Sequence, residues 1–272
     1  MPDKVIDLRA AAELVPASGA SIAFGGVTLY RRPMAFSLAL LDRHRRRSEP
    51  LNLTLLSFTS GVESDLLVGQ GMVGTTRTCY FGLESFGLAP HFTRAAADGS
   101  LRVQEETEAS LASGLRAAMA GVGFMPSLAW IGTDLPRLRP DVHTVRDPYS
   151  GEELMAFPAI EVDVAVIHAL VADPSGNAQI GGNRGVDLEL GLTARTVIVT
   201  CEELVPALEK ADILAPMVTA VVKTPHGAWP TSCHPLYPFD GMALLEYCET
   251  VGSDGYSTLL DRWLTRHRLH ET

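Results

Sequence analysis

Residues 162–170 read VDVAVIHAL, a run that is nearly all apolar. A strand of this composition has to be covered on both faces, as the central strands of a parallel sheet are. Two more runs of the same kind follow, RTVIVT at 195–200 and MVTAVV at 217–222, and a helical stretch at 186–194 precedes the first of these two. Strands that alternate with helices predict βαβ units, and hence a mostly parallel sheet.

The same alternation extends toward the N-terminus. Strands are predicted at 21–24, 51–58, 78–81 and 101–103, and helices at 5–14, 33–44 and 106–120. The sequence therefore predicts an α/β fold, with one open, mostly parallel sheet and flanking helices.

Proline residues are frequent in two further stretches of the chain, at 136–158 and at 224–240. We expect one domain over residues 1–272, with a proline-rich surface excursion near 136–158 and a C-terminal helical segment at 240–270. Before that segment, the stretch TPHGAWPTSCHPLYPFD at 224–240 leaves little room for regular structure. Long irregular loops inside compact domains are often functional or face a partner.

The charge balance limits the classes of partner. With 22 Lys and Arg against 32 Asp and Glu, the formal net charge is −10, so we expect neither nucleic acid nor an anionic membrane as a partner. The dense basic run at 43–47 falls at the end of a predicted helix, where cations favour the helix dipole, and we expect a solvated helix end. No apolar run approaches the roughly 20 residues of a membrane-spanning helix.

Cysteine spacing and the first residues bear on the cellular compartment. The four cysteines are far apart and show no CxxC spacing, which argues against a disulfide framework. The N-terminal residues are too charged for a secretory signal peptide. We therefore expect a cytoplasmic protein.

The common cofactor and nucleophile motifs are missing. The first predicted strand ends without a GxGxxG pattern, and neither a Walker A motif nor GxSxG nor HExxH occurs. The sequence therefore predicts no tightly bound cofactor and no metal site. His168 lies inside an apolar run and is expected to be a hydrogen-bonded core histidine, whereas a site role for His226 and His234 stays open.

Two features at strand ends are candidates for chemistry. Gly25 and Gly26 close the first strand, where glycines let a ligand approach the backbone and free N–H groups can stabilise an oxyanion. The alternative for this pair is a turn that needs positive φ. Glu105 ends another strand, at the edge where open α/β sheets bind ligands, whereas Glu106 and Glu108 are interpreted as helix-capping, solvated acids.

A third candidate is the stretch GVGFMP at 121–126, where a helix ends and an extended segment begins. One interpretation is a C-cap glycine followed by an apolar plug. The functional alternative is a substrate-binding wall formed by Phe124 and Met125.

These three features, in this order, resemble the α subunit of family I CoA-transferases, closest to the glutaconate CoA-transferase type. The resemblance covers nearly the whole chain. The stretches that carry it are AFGG at 23–26, RPMA at 32–35, YFGLESFGLAP at 80–90, Glu105, FMP at 124–126, DVAVIHA at 163–169, DPSGNA at 173–178 and TCEELV at 200–205.

The resemblance implies a CoA-transferase (isomerase-like) fold and an acyl-CoA:carboxylate CoA-transferase with its active site between an α and a β subunit. The implied partner is a β subunit, in a heterodimer or an α2β2 complex, and the substrates are an acyl-CoA thioester and a carboxylic acid. In this family a glutamate of the β subunit forms the acyl-anhydride and thioester intermediates. Glu63-Ser64, within GVESD at 61–65, is interpreted as a candidate vestige of that motif, whose full form is missing.

Relatives of the same architecture run other reactions. One type hydrolyses the carbon ring of a steroid-degradation CoA thioester, with a functional glutamate that matches Glu105, and another decarboxylates a branched glutaconyl-CoA. Some relatives carry an arginine shortly after the FMP stretch, able to hold a carboxylate. Ser127 and Leu128 stand there instead, which disfavours a glutaconate-like dicarboxylate.

The sequence also bears on a possible ligand-sensing role and on the surface that would contact the partner. The fold is also related to ligand-sensing domains of repressors, but no helix-turn-helix extension is visible and the chain is acidic. A chain without its family's nucleophile should expose an apolar face to its partner. We expect Trp229, Leu236, Tyr237 and Phe239 to form part of that face.

Overall fold

The computed structural model describes residues 2–269 of the chain. Within that range the strands are β1 (Ser21–Phe24), β2 (Leu53–Ser60), β3 (Val73–Phe81), β4 (Arg102–Glu105), β5 (Phe124–Ser127), β6 (His143–Arg146), β7 (Glu153–Pro158), β8 (Val162–Ala172), β9 (Ala178–Gln179), β10 (Ala194–Leu204) and β11 (Ala220–Lys223). The α-helices are α1 (Leu8–Glu13), α2 (Met34–Arg47), α3 (Val62–Gly69), α4 (Pro90–Asp98), α5 (Glu108–Met119), α6 (Leu135–Leu138), α7 (Asp187–Thr193), α8 (Gly241–Thr250) and α9 (Gly255–Arg266).

The main sheet is parallel, with the strand order β11-β10-β8-β1-β2-β3-β4, and β9 adds a short antiparallel pairing to the end of β8. β1 pairs with both of its neighbours, so that Ala23 lies opposite Leu56 of β2 and Phe24 lies opposite Val166 of β8. The strand order therefore reverses between β1 and β8, a point where open α/β sheets bind ligands at the carboxyl ends of the strands. The predicted fold class is confirmed.

Helices cover both faces of the main sheet. Neighbouring side chains of a strand point to opposite faces, so each central strand contributes to two hydrophobic cores. On β1, Ile22 and Phe24 belong to a core shared with α1, α2, α3, α8 and α9. Ala23 belongs to the second core, which α5 and α7 complete. On β8, Val166 and Ile167 divide between the two cores in the same way, which explains why this strand is nearly all apolar.

A second, smaller sheet follows α5. Its strands β5, β7 and β6 are antiparallel in that order, and they surround a small core of Trp130, Val142, Met155 and Phe157. The segment 136–158, predicted as a surface excursion, carries β6 and β7, whereas β5 begins in the stretch predicted only as an extended segment. The single-domain organisation over 1–272 stays a prediction, and residues 1 and 270–272 lie outside the described range.

Three α-helices lie where the sequence predicted none: α3, α4 and the four-residue α6. The side chains of α3 from Val62 to Val68 are buried, so this helix lacks the amphipathic pattern that marks a surface helix. The second, α4, begins with Pro90 in its first turn, where the missing N–H is not needed for helical hydrogen bonds.

The basic run that ends α2 is solvated only in part. Arg43 is buried, and its guanidinium donates to the carbonyl oxygens of Ala12 and Val15 at 2.9 and 2.6 Å and to the Glu49 carboxylate at 2.8 Å. The prediction of a solvated helix end is therefore wrong for Arg43, which binds carbonyl groups at the C-terminal end of α1. The three arginines after it are exposed, as predicted.

The cysteines and the lengths of the helices can be compared with what the sequence predicted. The four cysteines are free thiols, as their spacing predicted. No α-helix within residues 2–269 is both long enough and apolar enough to cross a membrane.

Candidate active site

Glu105 is the last residue of β4, the edge strand of the main sheet. It lies opposite Thr78 of β3, and its side chain is exposed. Its position at the carboxyl end of a parallel strand is the one predicted from the sequence. The carboxylate of Glu105 is thus open to a molecule that approaches this edge of the sheet, and its catalytic role stays a prediction.

Glu106 differs sharply from its neighbour. It is 4% exposed, and its Oε1 accepts from Arg77 Nε at 2.7 Å and from Arg139 Nη1 at 2.8 Å. Ser110 Oγ donates to the other carboxylate oxygen. The prediction that Glu106 is solvated is therefore wrong, because the chain turns inward after β4 and two arginines meet its carboxylate there.

The cap of α5 is formed by other residues. Thr107 is the N-cap, and its hydroxyl accepts from the amide of Ser110 while the Ser110 hydroxyl accepts from the amide of Thr107. This is a capping box with serine in place of the usual Glu or Gln. Glu108 is exposed in the first helical turn, as predicted.

Arg139 approaches the same junction from the segment between α6 and β6. Its Nε and Nη2 donate to the two carboxylate oxygens of Asp141, each at 2.8 Å. Burial by itself would lower the pKa of Arg139, but the hydrogen bonds to Asp141 and Glu106 raise it above its ordinary value. The hydrogen bond from Arg139 in turn lowers the pKa of Asp141. Arg139 therefore stays charged at this edge of the sheet.

The glycine pair after β1 has no free amide. Gly25 N donates to the carbonyl oxygen of Val166 at 2.9 Å, and Gly26 N donates to Asp187 Oδ1 at 2.9 Å. The expectation of free N–H groups for an oxyanion is therefore wrong in this structure. Gly26 has φ +81°, and a Cβ there would lie 2.4 Å from the Tyr30 carbonyl oxygen, so the alternative of a tight turn is confirmed. A substrate contact for Gly25 and Gly26 stays a prediction.

Two buried ion pairs lie next to this turn. Arg31 Nη2 is 2.8 Å from Asp187 Oδ2, and both side chains are at most 1% exposed. Arg32 Nη2 is 2.5 Å from Glu63 Oε1, and both side chains are 0% exposed. Ser64 Oγ also donates to Glu63 Oε1, at 2.6 Å. Glu63 is therefore not accessible as a nucleophile in this structure, and the interpretation of Glu63-Ser64 as a vestige of the family motif stays a prediction.

A histidine network links β8, β10 and the proline-rich loop, and no sequence motif marks it. His168 is fully buried, with Nδ1 2.8 Å from Thr200 Oγ1 and Nε2 2.8 Å from Glu202 Oε1, so the prediction of a hydrogen-bonded core histidine is confirmed. Glu202 also accepts from the Tyr237 hydroxyl and from the amide of His226. Burial would raise the pKa of Glu202, but the hydrogen bonds from His168, Tyr237 and the amide of His226 lower it.

The same network brings Cys233 close to His168 and Glu202. One potential ligand atom of each residue lies within 4.8 Å of the others. His168 Nε2 and Glu202 Oε1 are hydrogen bonded to each other, however, and burial raises the pKa of the Cys233 thiol to about 12. A metal ion would have to displace these bonds and deprotonate the thiol, so the three residues are better described as a buried hydrogen-bond network.

Phe124 and Met125 lie on β5 of the small sheet. Phe124 is 42% exposed and Met125 is half-buried. The small sheet contacts the Glu105 junction through Trp130, whose Nε1 donates to Thr107 Oγ1 at 2.9 Å. The substrate-wall role of Phe124 and Met125 stays a prediction.

The proline-rich loop before α8 presents apolar side chains to solvent. Leu236 is 54% exposed and Phe239 is 45% exposed, and Met242 on α8, 76% exposed, extends the patch. Trp229 and Tyr237 are only half-exposed, because Trp229 packs against Trp263 and Tyr237 bonds Glu202.

Comparison with known proteins decides the family. The family model described as Coenzyme A transferase matches residues 6–222. The chain belongs to the coenzyme A transferase family. The A-type subunit of glutaconate CoA-transferase from Acidaminococcus fermentans is 31% identical over 267 residues, which cover 90% of this chain and 82% of that protein. The family resemblance inferred from the sequence is thereby confirmed.

Relatives with other reactions match the chain equally well. The cholesterol ring-cleaving hydrolase IpdA subunit of Mycobacterium tuberculosis is 32% identical over 286 residues, which cover 97% of this chain and 94% of that protein. The crystal structure of a variant of the decarboxylase AibA/AibB superimposes with a TM-score of 0.89 at 31% identity, covering 97% of this chain and 100% of the other. Within the coenzyme A transferase family, similarity alone does not select the reaction.

Proposed function

We propose that this chain is the α subunit of a heteromeric acyl-CoA:carboxylate CoA-transferase. The observation that carries the proposal is the match, over nine-tenths of the chain, to the A-type subunit of such a transferase. A chain of this type completes its active site with a second, β-type subunit. The burial and ion pairing of Glu63 agree with this division, because a nucleophilic carboxylate has to reach the thioester carbonyl.

The part of this chain that meets the substrate would be the Glu105 edge. The substrate is a coenzyme A thioester, and the reaction needs no further cofactor. The Glu105 carboxylate is exposed, and a carboxylate at a strand end can orient a reacting group or accept a proton from it. Beside it, the positive charges of Arg77 and Arg139 are directed to Glu106, so they hold the junction together and leave the Glu105 carboxylate free for the substrate.

The proposed partner surface is the apolar patch of Leu236, Phe239 and Met242, with Leu245 of α8 beside it at 43% exposure. Isolated exposed apolar residues are ordinary, but a group of them on one loop and the helix that follows is typical of an interface. The assembly would be a heterodimer or an α2β2 complex. Trp229 and Tyr237 are only half-exposed, so they would contribute less area to this surface than the sequence suggested.

A second candidate is a CoA-thioester hydrolase or decarboxylase that uses Glu105 as its general acid or base. Two observations favour it: the match to the hydrolase covers 97% of this chain, and the match to the decarboxylase structure covers the same share. In this reaction Glu105 would act directly on the bond that is made or broken, and the β subunit would need no nucleophilic glutamate.

The experiment that separates the candidates is reconstitution with the protein encoded by the neighbouring reading frame. The complex is incubated with a panel of acyl-CoA thioesters, with and without carboxylic acids, and the products are identified by mass spectrometry. A new acyl-CoA that forms only when an acid is added supports transfer. Hydrolytic ring opening or loss of CO2 without an acceptor acid supports the second candidate. CoA transfer by this chain alone would contradict the proposed division between subunits.

A further inference from the structure

We propose that Arg139 is a positioning residue for Glu105, which it holds through the peptide backbone. The inference rests on the proposed function, because it takes Glu105 to be the carboxylate that meets the substrate. Arg139 Nη1 donates to the carbonyl oxygen of Glu105 at 2.8 Å and, with its other hydrogen, to Glu106 Oε1 at 2.8 Å. One nitrogen thus fixes two successive residues at the end of β4.

The end of β4 needs such support because β4 is the edge strand of the sheet. Within residues 2–269, only β3 pairs with it, and the last contacts of that pairing are Thr78 opposite Glu105 and the hydrogen bond from Glu106 N to Thr78 O at 3.2 Å. An edge strand has one row of backbone groups without sheet partners. Arg139 supplies the missing donor on that side.

Arg139 is itself well fixed. Its guanidinium uses four N–H groups, two of them on the two carboxylate oxygens of Asp141, and this planar fork determines the direction in which Nη1 points. The side chain is 6% exposed, and its Cζ lies 5.8 Å from the centre of the Trp130 ring. A lysine could not replace these bonds, because Arg139 uses three separate nitrogens to reach Asp141, Glu106 and the Glu105 carbonyl oxygen, and a lysine has one.

The small sheet therefore has a second contact with the same junction. Trp130, which belongs to the core of that sheet, donates to the N-cap Thr107 at 2.9 Å, two residues after Glu105. Arg139 and Trp130 together connect the segment 128–142 to both sides of the β4–α5 turn. This segment would therefore set the position of the Glu105 carboxylate through its contacts with the backbone of the junction.

The test uses the reconstituted complex and the variants Arg139→Met, Arg139→Lys and Asp141→Asn. The matched control is Arg137→Met, since Arg137 is on α6, 85% exposed, and pairs only with the exposed Asp134 among the contacts described. We expect Arg139→Met to lower kcat at least tenfold, with KM for the acyl-CoA changed less than twofold, because the bound substrate would meet a displaced carboxylate. Arg139→Lys should lower kcat several-fold, Asp141→Asn less, and Arg137→Met not at all.

A second readout does not depend on turnover. Amide hydrogen exchange over residues 103–107, measured by mass spectrometry on the intact complex, should speed up several-fold in Arg139→Met and stay unchanged in Arg137→Met. If Arg139→Met does not assemble, Arg139→Lys and Asp141→Asn are measured in the same two ways. A kcat within twofold of wild type for Arg139→Met, or for Arg139→Lys where Arg139→Met does not assemble, would overturn the inference, as would a loss expressed only in KM.

The variant Glu105→Gln, measured beside them, distinguishes a failure of the positioning role of Arg139 from a failure of the proposed function. Loss of turnover in Glu105→Gln with full turnover in the Arg139 variants would overturn the positioning role and leave the proposed function standing. Full turnover in Glu105→Gln would overturn the proposed role of Glu105 itself, and the positioning role with it.

Discussion

Two regions at the carboxyl edge of the same sheet carry carboxylates, and they differ in what those carboxylates can do. Beside the turn after β1, Asp187 and Glu63 are buried and paired with Arg31 and Arg32. At the end of β4, Glu105 is exposed while only its neighbour is buried. The first region is locked by ion pairs and fixes the fold around the point where the strand order reverses, and the second leaves one carboxylate open. We propose that the chemistry takes place at the edge strand, whereas the buried ion pairs beside the central turn support the structure.

Removing a charge from the locked region should have the largest effect on stability. Glu63→Gln leaves the Arg32 guanidinium without its buried counter-charge, and breaking a pair of this kind costs about 3–5 kcal/mol. We expect the free energy of unfolding, measured by urea denaturation, to fall by that amount. The control Asp134→Asn breaks an exposed pair and should cause no measurable change. Equal free energies of unfolding for Glu63→Gln and Asp134→Asn would contradict a stabilising role of the buried Arg32–Glu63 pair.

Glu106→Gln tests whether the second region is also held by a buried charge. Its carboxylate is bonded by Arg77 and Arg139, so we expect a loss of about 3 kcal/mol in the free energy of unfolding. Glu108→Gln, two residues further on the exposed side of α5, should cost only a few tenths of a kcal/mol through the helix dipole. If Glu106→Gln and Glu108→Gln both lowered the free energy of unfolding by only a few tenths of a kcal/mol, Glu106 would be a solvated acid like Glu108.

Gly26→Ala should weaken folding rather than chemistry alone. The added Cβ would meet the carbonyl oxygens of Tyr30 and Arg31 at 2.4 and 2.6 Å, in a backbone conformation with φ +81°. We expect the free energy of unfolding to fall by about 2 kcal/mol. Gly123→Ala is the control, because a Cβ there meets nothing within 4 Å. An active but unstable Gly26→Ala complex would agree with a structural turn, and a stable, inactive one would contradict it.

The smallest effect is expected from a histidine outside both regions, in the helical layer. Burial lowers the pKa of His91 to about 4, with the nearby charge of Arg94 contributing, whereas an unfolded histidine titrates near 6.5. The neutral form is favoured in the folded state, so the stability it contributes is complete above about pH 6.5 and is lost as the pH falls toward 4. Asp65, which accepts from the amide of His91, has a pKa raised to about 6 by burial and acts in the opposite direction.

We therefore expect the difference in stability between wild type and His91→Gln to shrink by about 1–2 kcal/mol between pH 7 and pH 4.5. Urea denaturation at four or five pH values measures it. A constant difference across this range would show that His91 has an ordinary pKa in the folded protein.

Most of the sheet could be predicted from the sequence because its strands are buried on both faces. The strand 21–24 was predicted with its observed bounds, and the apolar run at 162–170 falls within β8. The helix α3 was missed because it is buried on all sides and carries Glu63, Ser64 and Asp65 among its buried residues, so no apolar stripe marks it. The strand β5 was predicted only as an extended segment, because four residues that include a proline are too few to show an alternating pattern.

The site was harder to predict than the fold. Glu105 was placed correctly at a strand end, because that depends on local order along the chain. The burial of Glu106 depends on Arg139, which is 33 residues further along the chain, and no local pattern announces that contact. The hydrogen bonds of Gly26 to Asp187 and of His168 to Glu202 are of the same long-range kind. Side-chain partners across the sheet edge are fixed by the assembled fold.

We expect Glu105 to be the carboxylate of this chain that acts on the CoA thioester. The decisive measurement is kcat of the reconstituted complex carrying Glu105→Gln, compared with Glu108→Gln, because both are exposed glutamates of the β4–α5 junction and both changes preserve shape. We expect kcat to fall at least a hundredfold for Glu105→Gln, with unchanged thermal stability, and to stay within twofold for Glu108→Gln. Equal, mild losses in the two variants would contradict it.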